Sequence, residues 1–448
     1  MSREFSAHVR MGQREFSTKL TDFCQFWTTG CLILCYTFSM KNETYATFLT
    51  LLYTLLCFSA PFSISGMEIF LSLLILSLPI FLKYSRWRTG NWDKFHTLFF
   101  TLLLFVPFLS LINSPDISVS LPWIRRHFFM IVTPVVMITA PLVGRHWKRF
   151  LWLFVAASTL AAGYAVLQVF FGETLSKPFF WKGYYVHSRA FFSQANTLGE
   201  VLTFGFLAAI LSMWLTRSGR VRMIASSSAL LILAGIVSTR TRTPLVVAVV
   251  AGTWIMVKLF NKRGVITVLL ILILGLVANQ YNDRLFWRFR QINQHPGADR
   301  VELWHYGIKA VETHPILGIG FGNFREFLKT HTDESHRFLV RYNHTHCNIL
   351  EAAATTGAIG LIIFLLFWGR VGWDMYKSWR DSRDPVQKAI FLTLVTAFLV
   401  FQVEGLTECT LKDAEVALTF YVLVGVFYAF RLHTRTEACP SNLEEVSD

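Results

Sequence analysis

Apolar runs long enough to cross a lipid bilayer recur along almost the whole chain. A helix needs about 20 mainly apolar residues to cross the hydrocarbon core. Of the 448 residues, 53% are hydrophobic and only 16% are charged, against about 25% charged in soluble domains. The sequence therefore predicts an all-α, polytopic membrane protein and excludes a soluble enzyme, a disordered chain and a disulfide-stapled secreted domain. The runs lie near residues 23–40, 45–60, 67–83, 95–112, 128–143, 150–171, 197–215, 223–237, 244–259, 264–279, 348–369, 389–406 and 413–430.

The connectors between these runs alternate in charge. Every second connector is rich in Lys and Arg, as cytoplasmic loops are, and the orientation of the spans follows from this alternation. The basic set comprises residues 85–94, 144–149, 216–222, 260–263 and 370–388. The opposite set, predicted to face the other side, comprises residues 113–127, 172–196, 238–243, 280–347 and 407–412.

The number of spans depends on the first apolar run. The N-terminus carries several basic residues and is also predicted to be cytoplasmic, which requires an even number of spans before residue 84, yet three runs precede it. We interpret 45–60 and 67–83 as the first pair of spans and 23–40 as interfacial. The prediction is twelve transmembrane helices, with thirteen as the alternative.

Residues 1–448 are predicted to form a single integral membrane domain, with one long insertion at 280–347. Connectors of that length are usually functional. Within it, Val301–Thr313 has helical periodicity that ends at His314-Pro315. The net charge of +14 is in large part the cytoplasmic excess, and no long basic stripe favours nucleic acid as a partner. The seven cysteines are scattered without a Cys-x-x-Cys pair, which argues against a structural zinc or disulfide framework.

Arginines on the non-cytoplasmic face exceed what the orientation rule predicts. An arginine at the membrane boundary is unfavourable unless it snorkels to the headgroups or finds an anion. Arg189 and Arg242 border spans on the predicted outer face, which favours an anion as their partner. Guanidinium groups converging from different helices suit a diphosphate, because each can bind phosphate through two hydrogen bonds.

Seven of the thirteen histidines lie in the long loop, and two of them, His344 and His346, stand just before a span. A His-x-His pair can bind a metal, but a third ligand at helpful spacing is missing, and Asp333 or Glu334 could serve only if the loop folds back. We therefore expect no metal. A neutral imidazole at the membrane surface suits a general base, since its ordinary pKa lies near neutrality.

Signatures of other chemistries are absent from the sequence. There is no Asp-x-Asp for a metal-bound nucleotide sugar, no P-loop, no Gly-x-Ser-x-Gly elbow and no evident glycosidase-like carboxylate pair. Chemistry in this chain is therefore expected to depend on arginine and histidine.

Three stretches, taken together, resemble the O-antigen ligase and polymerase superfamily of bacterial inner membranes. The first is Thr239-Arg240-Thr241-Arg242-Thr243-Pro244-Leu245, similar to a Thr-x-Ser-Arg segment. The second is Arg300-x-x-x-Trp304 followed by His314-Pro315 and the run Gly318-x-Gly320-x-Gly322-Asn323-Phe324. The third is His344-Thr345-His346-Cys347-Asn348, with Gly357 and Gly360 after it. Their order and spacing over about residues 185–365 make the combination more specific than any one motif.

The chain departs from the family pattern at three positions. Thr241 stands where the family has Ser, and Cys347 stands where it has Asn. A weaker fourth motif begins at Arg189 and ends at Asn196. In this motif Ala195 stands where the family has Pro. The histidine of the third motif, His346, is retained.

The resemblance implies a membrane glycosyltransferase of the GT-C type in the bacterial inner membrane, with its active site facing the periplasm. The implied donor is a glycan on undecaprenyl diphosphate, and the acceptor is a sugar hydroxyl of the lipid A–core oligosaccharide, as in lipopolysaccharide biosynthesis. No cofactor is implied. The polymerase branch instead joins repeat units on undecaprenyl diphosphate. A different class, a transporter or flippase of a lipid-linked glycan, would use the same arginines without a base.

The resemblance also implies roles for particular residues. His346 is the candidate general base, and attack opposite the diphosphate would invert the anomeric centre. Arg300 and Trp304 are four residues apart on a predicted helix, so that one face presents both a charge and a stacking surface. Glu302 is expected to orient an arginine. The full set is His346 as the catalytic residue, Arg189, Arg242 and Arg300 for the diphosphate, and His344, Trp304, Glu302, Asn196 and Arg240 in support.

Overall fold

The computed structural model describes residues 44–84, 92–171, 187–281 and 298–438. In these ranges the chain is helical and contains no strand, which agrees with the predicted all-α class. The predicted interfacial run 23–40 lies outside the described residues. The helices are α1 Thr44–Ser59, α2 Ile64–Tyr84, α3 Lys94–Leu109, α4 Ile117–His127, α5 Val132–Thr139, α6 Trp147–Phe171, α7 Ala195–Leu215, α8 Gly219–Thr239, α9 Arg242–Tyr281, α10 Ala298–Thr313, α11 Phe324–His331, α12 Asn348–Asp381, α13 Pro385–Glu404 and α14 Ala414–Ala438.

Eight helical segments in the described ranges are long and apolar enough to cross a membrane. They make the protein multi-pass by length and composition. One of them, Ile117–Val169, contains two of the spans predicted from the sequence, while α1 and the apolar part of α2 are shorter. All twelve predicted spans coincide with helical structure, but the number of membrane crossings stays a prediction.

Helix α9 includes two of the predicted spans, 244–259 and 264–279, and is interrupted between them. At Asn261 the backbone leaves the helical region, with φ +52° and ψ −132°. A side chain added at Gly264 would meet the carbonyl oxygen of Met256 at 2.2 Å, so the chain is sharply bent there. The basic connector predicted at 260–263 coincides with this bend.

Helix α7 is the most enclosed span, with 78% of its apolar window buried. Its neighbours approach closely because the residues between them are small. A Cβ on Gly205 would lie 2.4 Å from the Ser158 hydroxyl, and one on Gly235 of α8 would lie 2.6 Å from the Cβ of Ala162. Small residues give close helix packing in membranes, where the apolar solvent does not itself drive association.

The start of α12, the end of α13 and the start of α14 meet at one end of the bundle, here called the site face. The backbone N–H of Asn348 donates to the carbonyl of Gly405 at 2.7 Å. The predicted non-cytoplasmic connectors contribute to the same face, since Asn323 donates to Ser114 at 2.8 Å and Thr243 lies 3.1 Å from Thr407.

The long insertion folds into a small unit on the site face. Its predicted helix at 301–313 is confirmed as α10, which extends from Ala298 to Thr313. A separate apolar cluster, distinct from the core of the bundle, joins α10 to α11 and to the 3-10 helix Glu334–Arg341. The fully buried side chains of that cluster include Leu303, Phe324, Leu328 and Leu339.

Candidate active site

The segment 342–347, which connects the insertion to α12, carries the two histidines of the third motif. His346 has a φ of +55°, in the left-handed region that non-glycine residues seldom adopt. Tyr342 packs its ring edge against His346 at 5.3 Å and donates from its hydroxyl to Asp299 of α10 at 2.7 Å. The N–H of Thr345 donates to Glu351 at 2.9 Å. The unusual backbone of His346 is therefore held from both sides.

The imidazole of His346 bonds through Nδ1 to the carboxylate of Glu408. Both side chains are largely buried, at 14% and 16% exposure. The second oxygen of Glu408 accepts from Nη2 of Arg300 at 3.1 Å. Glu408 thus bridges a histidine and an arginine that belong to two different sequence motifs.

The ionisation of Glu408 follows from these partners. Burial by itself raises the pKa of this carboxyl. The hydrogen bond from His346 and the nearby charges of His346, His344 and Arg300 outweigh burial, and the pKa of Glu408 is lowered overall. Glu408 is therefore ionised near neutral pH, and it can accept a hydrogen bond from the Nδ1–H of His346.

His344 lies beside His346, with ring centroids 4.2 Å apart, and its Nδ1 accepts the backbone N–H of His346 at 3.2 Å. Burial, followed by the charges of His346 and Lys412, lowers the pKa of His344 to about 4. His344 is therefore neutral at physiological pH and supports the backbone of its neighbour.

His344, His346 and Glu408 each offer one ligand atom, and these atoms lie within 4.8 Å of one another. This corrects the expectation that a third ligand is missing, because Glu408 supplies it from a distant part of the chain, in place of Asp333 or Glu334. Three such ligands can hold a divalent cation. The same atoms also form a histidine–carboxylate pair that needs no metal.

The loop 405–413, between α13 and α14, is fixed to the start of α12. Asn348 donates through its side chain to Thr410 at 2.7 Å and accepts from the N–H of Leu411 at 3.3 Å. Lys412 forms an ion pair of 2.5 Å with Glu351, and both side chains are below 9% exposed. These contacts hold Glu408 against His346.

The hinge between α8 and α9 also contacts the loop 405–413. Arg240 ends α8 in the left-handed conformation, with φ +55°, and Arg242 begins α9. The hydroxyl of Thr243 lies 3.1 Å from that of Thr407, one residue before Glu408. The first motif therefore lies beside the carboxylate that links the other two.

Residues 189–197, which lead into the start of α7, lie in the same region. Arg189 donates to the carbonyl of Ser193 at 3.2 Å, and Asn196 donates to Glu200 at 2.5 Å. Thr197, in the first turn of α7, hydrogen-bonds Asp413 at the end of the loop 405–413. The loop therefore joins the α7, α9 and α12 parts of the predicted site.

Two supporting residues of α10 have surroundings that the sequence did not predict. Glu302 was expected to orient an arginine, but its described partner is Nε2 of His336 at 3.6 Å. His336 belongs to the 3-10 helix of the insertion, and whether Glu302 orients an arginine or is an ordinary charge of the helix surface stays a prediction. Trp304 is partly buried, and its indole N–H has no acceptor among the described residues.

The glycine run of the second motif serves packing. Gly318, Gly320 and Gly322 all have positive φ, as tight turns require. A Cβ on Gly318 would meet the backbone of α12 at Thr355 within 2.4 Å, and one on Gly322 would meet the ring of Trp123 within 2.3 Å. These glycines therefore let the turn approach α12 and α4 closely.

Sequence reasoning did not identify Glu408, Lys412 or Glu351. The available signal was the cluster of charges in 404–413, which lies between two spans on the predicted outer face. Charged residues at such a boundary are unfavourable unless they are paired or functional. No local pattern linked them to His346, 62 residues earlier in the chain.

Comparison with known families agrees with the motifs. Residues 227–365 match the family model described as O-Antigen ligase. The resemblance to this family, predicted from the motifs, is thereby confirmed over that stretch. The match covers just under a third of the chain and contains Arg242, Arg300 and His346, while Arg189 and Glu408 lie outside it.

A relative supports the same assignment. A Rickettsia felis (strain ATCC VR-1525 / URRWXCal2) protein named "Putative polysaccharide ligase" is 30% identical over 103 residues, which are 21% of this chain and 24% of that protein. The similarity thus extends over about a quarter of the relative's length. The activity and the substrates of this chain are taken up below as proposals.

Proposed function

We propose that this protein is a glycosyltransferase that moves an O-antigen glycan from undecaprenyl diphosphate to a sugar hydroxyl of lipid A–core. The reaction is metal-independent, inverts the anomeric centre and takes place on the periplasmic side of the inner membrane. The contact between Glu408 and His346, a histidine within the stretch that matches the O-antigen ligase family, is the observation that carries the proposal.

His346 acts as the general base. Its Nδ1–H donates to Glu408, and this bond leaves the lone pair of Nε2 to accept a proton. The acceptor hydroxyl gives its proton to Nε2 while its oxygen bonds to the anomeric carbon of the donor. The bond from that carbon to the diphosphate oxygen breaks with its electron pair, and undecaprenyl diphosphate leaves. Ionised Glu408 stabilises the imidazolium that forms.

Arg242, Arg300 and Arg189 hold the leaving diphosphate. Arg242 stands at the first residue of α9, where the partial positive charge of a helix N-terminus also favours an anion. Arg300 is 39% exposed although it pairs with Glu408, so its guanidinium is accessible to a ligand. Removing one such donor from a growing negative charge typically lowers the rate by about 10²–10³-fold.

The supporting roles follow from position. His344 supports the backbone of His346. Asn196 and Arg240 shape the helix ends next to Arg189 and Arg242. Trp304 offers a stacking surface on α10, the helix that carries Arg300. These roles, like those of the main residues, are proposals about substrate contact.

Reconstitution is the decisive experiment. Purified protein is incubated with an undecaprenyl-diphosphate glycan and lipid A–core, without added metal and with a chelator. We expect a covalent glycan–lipid A product. Loss of product in chelator, with recovery on adding a divalent cation, would assign a metal to the group of His344, His346 and Glu408 and contradict the metal-independent mechanism.

The first prediction is that His346→Ala abolishes transfer while expression and donor-lipid binding are retained, because the base is lost and the arginines remain. His305→Ala is the control, since His305 is an exposed histidine of the same insertion. Product formation and donor binding are measured on the same preparations. Loss of donor binding in His346→Ala would make His346 an anchor for the donor and contradict its role as a base.

Other products would indicate the other classes. Longer glycans on undecaprenyl diphosphate, with no lipid A product, would identify a polymerase. Movement of the donor across a sealed bilayer, with neither product, would identify a transporter. The wild-type protein distinguishes the three in one set of assays.

A further inference from the structure

A cleft lies beside the loop 405–413, which contributes Cys409, Leu411 and Lys412 to its lining. It lies between α3, α4, α12 and this loop, and encloses about 650 Å³ of space, part of it open to solvent. Its lining includes Glu351 and Lys412, so the cleft adjoins the His346 site through the ion pair that fixes the loop.

One end of the cleft is apolar. Leu103 and Val106 of α3 and Phe364 of α12 line it, and each is buried to at least nine-tenths. Gly360 of α12 also lines the cleft. This end has the shape and chemistry to receive a hydrocarbon chain lying between α3 and α12.

The other end of the cleft is cationic. Lys412 lies 4.6 Å and Arg126 5.2 Å from the ring of Trp123, which stands between them. The charge of Lys412 is compensated by Glu351 at 2.5 Å. Arg126 is exposed and forms no ion pair with any residue that the structure describes, so its charge is available to an external anion.

Helix α4 places Arg126 at the level of a membrane surface. Ile117 and Leu121 of this short helix are 52% and 54% exposed, and Arg125, Arg126 and His127 form its last turn. An amphipathic helix with exposed apolar residues and terminal cations is typical of one that lies at the bilayer interface. Lipid phosphates lie at that level.

We propose that this cleft binds the lipid anchor of the acceptor, with a phosphate on Arg126 and an acyl chain between α3 and α12. The inference rests on the proposed function for the identity of the acceptor. The donor is assigned to a different part of the molecule because its arginine, Arg242, begins α9, which packs against α7, α8 and α13, whereas α3, α4 and α12 line the cleft. His346 then lies between the two lipids, where transfer requires it.

Binding is tested first, in nanodiscs, with lipid A–core as the probe and the same lipid after removal of its phosphates as the comparison. We expect Arg126→Ala to weaken binding of the phosphorylated lipid by about tenfold, the usual size of one charged contact. Arg125→Ala, its neighbour outside the cleft lining, should bind like wild type. Dephosphorylation should weaken binding to wild type but not further to Arg126→Ala.

Filling the cleft with a large side chain gives an independent variant. Ala352 lines the cleft and is partly exposed, so Ala352→Trp fills the space without replacing a buried side chain. In steady-state assays both Ala352→Trp and Arg126→Ala should raise the KM for lipid A–core and leave the KM for the donor unchanged. A rise in the donor KM instead would place the donor chain in the cleft and overturn the proposal.

The binding assays are repeated in His346→Ala protein, so that their result does not depend on catalysis. If wild type makes no lipid A product but binds the phosphorylated lipid through Arg126, the transfer function fails and the cleft assignment holds. Equal binding by wild type, Arg126→Ala and Ala352→Trp would overturn the cleft assignment while leaving transfer intact.

Discussion

At the scale of single residues, Glu408 organises the candidate active site. One carboxylate serves His346 through one oxygen and Arg300 through the other. A histidine acts as a base only when its other ring nitrogen is held in the right tautomer, and a carboxylate on Nδ1 does this. Glu408 is therefore a positioning residue for His346 and a charge partner for Arg300.

The second prediction concerns this carboxylate. Glu408→Gln should lower kcat by about 10²–10⁴-fold, because an amide can present its N–H to Nδ1 and favour the wrong tautomer. The KM for both lipids should change little. Glu326→Gln is the matched control, since Glu326 lies in the insertion that carries His344 and His346 but pairs with Lys329. Unchanged kcat in Glu408→Gln would remove the His346–Glu408 contact from the mechanism.

The third prediction concerns His344 and pH. Because burial lowers its pKa from 6.5 to about 4, the unfolded chain binds a proton there between these values and the folded protein does not. Stability contributed by neutral His344 is present above pH 6.5 and is lost as pH falls toward 4. Melting temperatures at pH 7 and pH 5 should therefore differ less in His344→Gln than in wild type. An equal difference in both proteins would contradict this.

At the scale of elements, α12 and the glycine run of the second motif form one interlocked unit. Gly357 breaks α12 with φ +65° and ψ −167°. The N–H of Ala358 then donates to Pro315 at 2.8 Å, and the carbonyl of Ala354 accepts from Ile319 at 2.9 Å. The break exposes these backbone groups, and the turn at 315–319 satisfies them. Since α12 begins immediately after Cys347, this unit also fixes the position of His346.

The fourth prediction tests this unit with two glycines of one helix. Gly357→Ala should lower the free energy of unfolding by about 2 kcal/mol or more, because its φ is positive and its Cβ would lie 2.2 Å from the carbonyl oxygen of Ile316. Gly369→Ala should be neutral or slightly stabilising, since nothing lies within 4 Å of its Cβ. Thermal unfolding of the two variants decides, and equal melting temperatures would contradict the interlocking.

At the scale of the whole molecule, a polar network joins three helices at the end opposite the site face. Asp374 of α12 bonds Nε2 of His96 at 2.9 Å and Nη1 of Arg431 at 2.8 Å. His96 is 1% exposed, and its Nε2 also lies 2.9 Å from the hydroxyl of Tyr428. The network ties α3, α12 and α14 together, the helices that frame the proposed cleft and carry the loop 405–413 at their other ends.

The fifth prediction is that Asp374→Asn destabilises the protein without changing the reaction. Removing one partner of a buried ion pair leaves the others uncompensated and typically costs about 3–5 kcal/mol. Asp381→Asn on the same helix should have little effect, because its pair with Arg380 is exposed. The thermal unfolding temperature and the kcat of the folded fraction are both measured. A lowered kcat at unchanged stability would show that the network acts on the site.

Much of the architecture could be predicted from the amino-acid sequence alone. The apolar runs set the helices, because a membrane span must satisfy its backbone within itself and so must be a continuous helix. The predicted helix at 301–313 and the connectors of one face are found together in the structure. The motif spacing indicated His346, Arg242 and Arg300 and the family that residues 227–365 match. The apolar runs and the motifs each lie within a short stretch of the chain, so the order and spacing of residues are enough to detect them.

Only the tertiary structure decided which side chains meet. Glu408 reaches His346 across 62 residues, and Arg300 reaches Glu408 across 108. Glu302 lies 3.6 Å from His336, and the cleft beside Arg126 is lined by five separate segments of the chain. Such contacts depend on how α12, α13 and α14 pack. No local propensity encodes that packing, because it results from the fit of all the helices together.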